Sequence, residues 1–151
     1  MIVLDHRLLP EEPLPDATLA VIELPLSADQ RTVLRGRRRT ACGRDVLLQL
    51  PRDRALSPGD RLTDSQRKVH VLVTAAAEEL LRVEAATPLA LLEAAYHLGN
   101  RHVALELHEH ELLLLDDSVL ATMLNGRGLK LTRCCGPFRP EGGAYLAHQH
   151  A

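Results

Sequence analysis

Short apolar runs separated by turn residues occupy the first half of the chain, a pattern typical of β-strands. The segment Ser57–Asp60 combines Pro, which fixes φ, with Gly, which permits positive φ, and predicts a turn. No stretch of this half keeps a helical period, so we predict a small all-β domain over residues 1–74. Its strands are expected at Thr18–Glu23, Val46–Leu50 and Arg67–Val73.

The pattern changes after residue 74, where strands begin to alternate with amphipathic helices. Thr87 before Pro88 predicts the start of one helix, and Asp116-Asp117-Ser118 predicts the start of another. Gly99-Asn100 and Asn125-Gly126 are expected to end them. Strands are expected at residues 79–84, 103–108, 111–115 and 128–132. The order β-α-β-β-α-β predicts a ferredoxin-like domain over residues 75–140, and hence an α+β protein. Residues 141–151 are expected to form a mobile tail.

The periodicity also assigns faces to the side chains of this second domain. Leu89, Leu92 and Tyr96 follow each other at helical spacing, which predicts a stripe that faces the core. In the strand expected after this helix, Val103, Leu105 and Leu107 share an apolar face. His102 would then lie on the outer, wetter face, as a candidate ligand or as a merely solvated histidine.

Composition supports a packed protein and argues against several classes of partner. Hydrophobic residues make up 46% of the chain but aromatic residues only 2%, which disfavours a base-stacking surface for nucleic acid. No apolar run approaches the roughly 20 residues that span a bilayer. The N-terminus lacks a signal-peptide pattern, and three cysteines are too few for a disulfide framework. We therefore expect a cytoplasmic protein that binds neither membranes nor nucleic acid.

Histidines are concentrated in the second half of the chain, where acidic residues outnumber basic ones. Imidazole and carboxylate groups suit borderline divalent cations, although residue types alone do not separate Ni²⁺ from Zn²⁺ or Cu²⁺. A single imidazole makes no tight site. In a symmetric homodimer, however, His102 can approach its own copy across the two-fold axis.

Other histidines and motifs have plain alternative explanations. His97 is a second candidate ligand, or a histidine that interacts with a helix dipole. His148 and His150, separated by one residue, are candidate ligands or a chance pair. His108 and His110 are expected at a solvated hairpin tip. We interpret Cys134-Cys135 as small, partly buried residues, and Arg35–Arg39 as a surface loop that faces an acidic protein partner or solvent.

One stretch is more specific than these patterns. Residues Tyr96–His102 read Tyr-His-Leu-Gly-Asn-Arg-His, which resembles the signature of the UreE-type urease accessory proteins. The similarity extends through Leu107 and returns at residues 115–120 and 136–145. It is looser in the first half, where residues 47–51 and 56–60 carry it.

The resemblance implies a metallochaperone that is not an enzyme and that delivers Ni²⁺ to apo-urease with other accessory proteins, including a GTPase. It implies a partner-binding N-terminal domain, a dimerising C-terminal domain and His102 as the interfacial nickel ligand. Some relatives carry a second histidine cluster where this chain has Asp116-Asp117-Ser118, and some have longer histidine tails, so we expect fewer ions per dimer. A metal-dependent hydrolase with a site shared across a dimer, or an interaction module without metal, remains an alternative.

Overall fold

The structure, a computed structural model, describes residues 1–142 of the chain. It is an α+β protein that divides into two compact units, Met1–Ala76 and Ala77–Ala151. Most of the predicted tail, with His148 and His150, lies outside the described residues. Within residues 1–142, no helix is long and apolar enough to cross a membrane.

The first unit contains two sheets and one short helix. The strands are β1 (Ile2–Leu4), β2 (His6–Arg7), β3 (Val21–Leu26), β4 (Arg35–Arg39), β5 (Asp45–Gln49), β6 (Arg61–Thr63) and β7 (His70–Ala75), and the helix is α1 (Ala28–Arg31). One sheet has the order β1-β5-β4 and the other β2-β6-β7-β3. Their apolar faces meet in a core built almost entirely from Leu and Val side chains.

Several elements of this unit differ from those predicted. Strand β3 starts three residues later than expected and contains Pro25, which an edge strand tolerates because one side of it makes no sheet hydrogen bonds. Arg67 lies in a turn at φ 58°, not in a strand. The helix α1, which was not predicted, is held by a capping box between Ser27 and Gln30. The arginine cluster expected in a loop forms strand β4.

His70 is a buried polar residue, and no role was predicted for it from the sequence. Its Nε2 lies 2.7 Å from a guanidinium nitrogen of Arg61, which can only donate, so the imidazole is neutral and accepts. Burial, and then the positive charge of Arg61, lowers the pKa of His70. The unfolded chain therefore binds a proton more readily at this position than the folded chain does.

This pKa shift predicts a pH dependence of stability for the first unit. Above the unfolded pKa of about 6.5 the imidazole is neutral in both states, so titration of His70 does not change the stability there. As the pH falls below that value, protonation of the unfolded chain lowers the free energy of unfolding, until the folded pKa is also passed. Hydrogen exchange of the β6 and β7 amides should show this loss, and His70→Gln, which can still accept from Arg61, should remove it. Equal pH slopes for both proteins would contradict the prediction.

The second unit consists of one sheet and two helices. The elements are β8 (Ala77–Glu84), α2 (Pro88–Asn100), β9 (Glu106–Leu107), β10 (Leu112–Leu115), α3 (Ser118–Gly126) and β11 (Lys130–Pro137). The sheet has the order β11-β8-β10-β9, with every neighbouring pair antiparallel. Both predicted helix starts are confirmed, because the side chains of Thr87 and Asp117 accept hydrogen bonds from the first turns of α2 and α3.

The predicted orientation of α2 is wrong. Leu89, Leu92 and Tyr96 are 64%, 67% and 65% exposed, so they face away from the core. The buried face consists of Leu91, Ala94 and Leu98, which pack with the apolar residues of β8, β10 and α3. The helix is apolar on two faces, and the opposite face from the predicted one meets the sheet. We call Leu89, Leu92 and Tyr96 the apolar stripe of α2.

Candidate functional site

His102 lies just beyond the C-terminus of α2, and not in a strand as predicted. Strand β9 begins only at Glu106. The backbone of His102 has φ 59°, in the left-handed region. Its N–H donates to Gly99 O at 3.0 Å, and the N–H of Val103 donates to Leu98 O at 3.1 Å. These two bonds define a Schellman motif, in which the left-handed position is usually glycine.

The second helix of the same unit ends in the same way and provides an internal comparison. Gly128 has φ 79°, and its N–H donates to Asn125 O while the N–H of Leu129 donates to Leu124 O. Glycine adopts this conformation without a steric penalty, whereas a residue with a Cβ loses roughly 1 kcal/mol. His102 therefore occupies a glycine-type position at an energetic cost, as often occurs at functional sites.

The imidazole of His102 is carried on the surface of the unit. The residue is exposed, while Val103 packs against the core beneath it. Because the Schellman motif fixes the backbone on both sides, His102 projects from a rigid helix end. Its accessibility, which the sequence analysis attributed to strand alternation, results from this helix-terminal geometry. The alternation itself fails, since Leu107 is exposed.

His97 lies in the last turn of α2 and is partly buried. Its ring makes an edge-to-face contact with Tyr96, with ring centroids 5.3 Å apart and an interplanar angle of 79°. This contact ties His97 to the apolar stripe.

The hairpin histidines behave differently from each other. His108 N–H donates to Glu111 O, which closes the predicted hairpin with a two-residue loop. His108 Nε2 lies 2.5 Å from Glu106 Oε2, and Glu106 Oε1 accepts from the backbone N–H of Arg139 at 2.7 Å. His110 is 85% exposed and lies 3.7 Å from Glu109. Glu106 thus holds His108 in place, whereas His110 stays solvated.

The cysteines give no paired thiol site. Cys134 and Cys135 are neighbours in β11, so their side chains point to opposite faces of the sheet. Cys134 is half-buried and Cys135 exposed. Cys42 belongs to the other unit, where a hydrogen bond with Thr40 lowers the pKa of its thiol.

Within residues 1–142, no three His, Cys, Asp or Glu side chains are grouped closely enough to hold one metal ion. His102 is therefore at most part of a site within one described chain. The apolar stripe lies on α2, and His102 belongs to the Schellman motif that directly follows this helix, so an accessible imidazole and an exposed apolar surface are carried by one continuous segment. This surface was not predicted from the sequence, although two apolar faces on one helix are the signal for it.

Comparison with known proteins adds an independent finding. Residues 78–151 match the family described as UreE urease accessory protein, C-terminal domain. The protein named urease accessory protein UreE of Synechococcus sp. (strain CC9311) is 86% identical over 149 residues, covering 99% of this chain and 96% of the relative.

More distant relatives carry the same name. That of Parasynechococcus marenigrum (strain WH8102) is 64% identical, with 99% of this chain and 97% of the relative covered. That of Thermosynechococcus vestitus (strain NIES-2133 / IAM M-273 / BP-1) is 49% identical, with 90% and 94% covered. The similarity therefore includes both units, although the family match begins at residue 78.

Proposed function

The chain belongs to the UreE family of urease accessory proteins, and from this premise we propose that it binds Ni²⁺ through His102 and delivers the ion to apo-urease. Members of this family are accessory proteins and not enzymes, which sets aside the metal-dependent hydrolase that the sequence left open. Zn²⁺ and Cu²⁺ are the competing ions, because imidazole binds all three.

The observation that carries the proposal is the left-handed backbone of His102. A histidine kept at a glycine-type position, at a cost in stability, is a candidate for a functional constraint. A protein that hands a metal on benefits from few ligands at an accessible place, because each further ligand slows release. An exposed imidazole on a rigid helix end meets both requirements.

A second copy of the chain supplies the other half of the proposed site. The apolar stripe of α2 is exposed to solvent in a single chain, and a symmetric homodimer would bury it against the same stripe of the second copy. Because His102 follows directly after the end of α2, such an interface can bring two imidazoles together. The unit from Ala77 onward acts in this proposal as a ferredoxin-like dimerisation domain. The sheet order β11-β8-β10-β9 with antiparallel neighbours supports that interpretation.

The remaining parts of the chain have supporting roles in the proposal. The auxiliary ligands that pass the ion to and from His102 are His97 and the pair His148 and His150. The latter two lie outside the described residues. The first unit contacts protein partners, namely apo-urease and other accessory proteins including a GTPase. The setting is the cytoplasm, where these proteins assemble the metallocentre.

Activation of apo-urease at limiting Ni²⁺ tests this proposal. The Ni²⁺-loaded chain should activate more urease than the same amount of free Ni²⁺ when a weak chelator competes. Deleting residues 147–151 should slow transfer or lower the number of bound ions while the dimer persists. His110→Ala, which removes another exposed histidine, is the matched control and should behave as the unaltered chain. Activation by the loaded chain no better than by free Ni²⁺ would refute the delivery function.

A further inference from the structure

Strand β4 forms one edge of the sheet β1-β5-β4 in the first unit. It pairs with β5 in the register that sets Arg35 opposite Gln49 and Arg39 opposite Asp45. Beyond the strand ends, Leu50 N–H donates to Leu34 O, and Thr40 N–H donates to Arg44 O. On the β4 side of these two bonds the residues are Leu34 and Thr40, which both have even numbers. Opposite residues of an antiparallel pair alternate between hydrogen-bonded and non-hydrogen-bonded positions. The N–H and C=O groups of the odd-numbered residues 35, 37 and 39 therefore point away from β5.

Two further hydrogen bonds support this direction of the backbone. Ala41, the next odd-numbered residue, donates its N–H to Glu23 O and not to β5. The carbonyl of Arg37 accepts from the guanidinium of Arg38 at 2.6 Å. In the described part of the chain, no strand is paired with the edge from residue 35 to 39, although β3 contacts β4 and lies close to the C-terminal end of this edge, where Glu23 O accepts from Ala41 N–H. Three N–H groups are thus directed outward at about 7 Å intervals.

The side chains of the same three residues form a row of positive charge. Arg35, Arg37 and Arg39 are all exposed, whereas Gly36 and Arg38 between them are half-buried. On this face of the sheet, Asp45 is the one carboxylate paired with the row in the described structure, 3.4 Å from Arg39. The row therefore keeps an excess of positive charge over a length of about 13 Å.

We propose that the outer edge of β4 binds an extended acidic segment of a protein partner as an additional antiparallel β-strand. Main-chain hydrogen bonds to residues 35, 37 and 39 would supply the affinity of strand addition. Directly opposite residues of neighbouring strands share a face, so carboxylates at alternate positions of the segment meet Arg35, Arg37 and Arg39. This proposal rests on the proposed function, because the outer edge of β4 would be the partner contact that this function requires of the first unit.

Arg38 covers part of this edge in the free protein. Its side chain lies over Gly36, where φ is 143° and an added Cβ would be 3.4 Å from the Arg38 guanidinium. By occupying the Arg37 carbonyl it covers one acceptor of the edge. An incoming strand has to displace this single hydrogen bond, which costs about 1 kcal/mol. Charged edge strands also discourage non-specific pairing, so a segment without carboxylates should be rejected.

A synthetic peptide that alternates Thr and Glu over about seven residues, roughly 20 Å when extended, is the probe. Its control replaces every Glu by Gln. NMR hydrogen exchange on the full chain should show new protection of the Arg35, Arg37 and Arg39 amides with the Glu peptide. The amides of Gly36 and Arg38, which already bond β5, should change little. No binding, equal binding of the Gln peptide, or binding without new protection would overturn the proposal.

A pair of variants separates strand addition from charge attraction. Arg37→Gln and Arg37→Pro remove the same charge, but only proline also removes the outward N–H. Proline leaves the β5 pairing intact because residue 37 does not donate to β5, and the preceding Gly36 tolerates the constraint. The Arg37→Gln variant should bind the Glu peptide with a dissociation constant about threefold higher, as expected for the loss of one exposed ion pair. The Arg37→Pro variant should raise the dissociation constant by about a further fivefold, as expected for one lost main-chain hydrogen bond.

Protection of Gly36 and Arg38 amides in Arg37→Pro confirms that β4 is still paired. Equal affinities of the two variants would overturn strand addition. A single-stranded oligouridine that displaces the peptide without protecting the odd-numbered amides would identify a polyanion surface instead, and would also overturn it. Ni²⁺ binding should be unchanged in both variants, and His102→Ala should leave peptide binding unchanged. A failure of this inference is thereby distinguished from a failure of the proposed metal site.

Discussion

Replacing His102 by alanine is expected to abolish tight Ni²⁺ binding while leaving the fold and the dimer intact. Calorimetry of the unaltered chain should show about one tight ion per dimer, since in the proposed homodimer two symmetry-related imidazoles would meet at one axis. The variant loses both imidazoles at once, so the tight site should disappear and not merely weaken. His110→Ala, another exposed histidine of the same unit, should keep it.

A second substitution at the same position separates the metal from the backbone. His102→Gly removes the imidazole and also the steric cost of the left-handed conformation, whereas alanine keeps that cost. The glycine variant should therefore unfold with a free energy roughly 1 kcal/mol higher than the alanine variant, measured by urea denaturation. Neither should bind Ni²⁺ tightly. A tight site that survives in either variant would refute the assignment of His102.

The helix boundaries of the second unit were predictable because their signals are local. Thr87 with Pro88, and Asp117, act on the N–H groups of the next turn and need no other part of the fold. The left-handed position of His102 also had a local signal that was missed. Residues Leu98–Val103 and Leu124–Leu129 share the pattern Leu-x-x-Arg-x-apolar, with His102 in the place of Gly128. A comparison of the two helix ends predicts one shared Schellman motif.

The orientation of α2 and the strand at Arg35–Arg39 could not be predicted in the same way. Both faces of α2 are apolar, and only the packing of the sheet selects Leu91, Ala94 and Leu98 for the core. The arginines of β4 have no apolar alternation of their own. Their strand forms because β5, with Val46 and Leu48 in the core, supplies a backbone partner. In both cases tertiary structure overrides the local pattern.

Replacing Leu92 by glutamate is expected to convert the proposed homodimer to a monomer. Leu92 is central in the apolar stripe and 67% exposed, so the charge is accommodated in the isolated chain. In a symmetric dimer each substitution counts twice. Burial of a leucine contributes about 1.5–3 kcal/mol, so two lost leucines should raise the dissociation constant of the dimer by at least about a hundredfold. Sedimentation velocity over a range of concentrations measures this.

Leu14→Glu is the matched control, because Leu14 is 57% exposed but belongs to the first unit. That variant should remain dimeric, and a dimer that also persists in Leu92→Glu would show that the stripe is not the interface. The same variant tests whether the metal site is shared between two copies, since Leu92→Glu keeps His102 but separates it from the His102 of the second copy. Tight Ni²⁺ binding should then be lost although every proposed ligand is present. A monomer that still binds one tight ion would mean that a single chain completes the site, and His102 would no longer depend on symmetry.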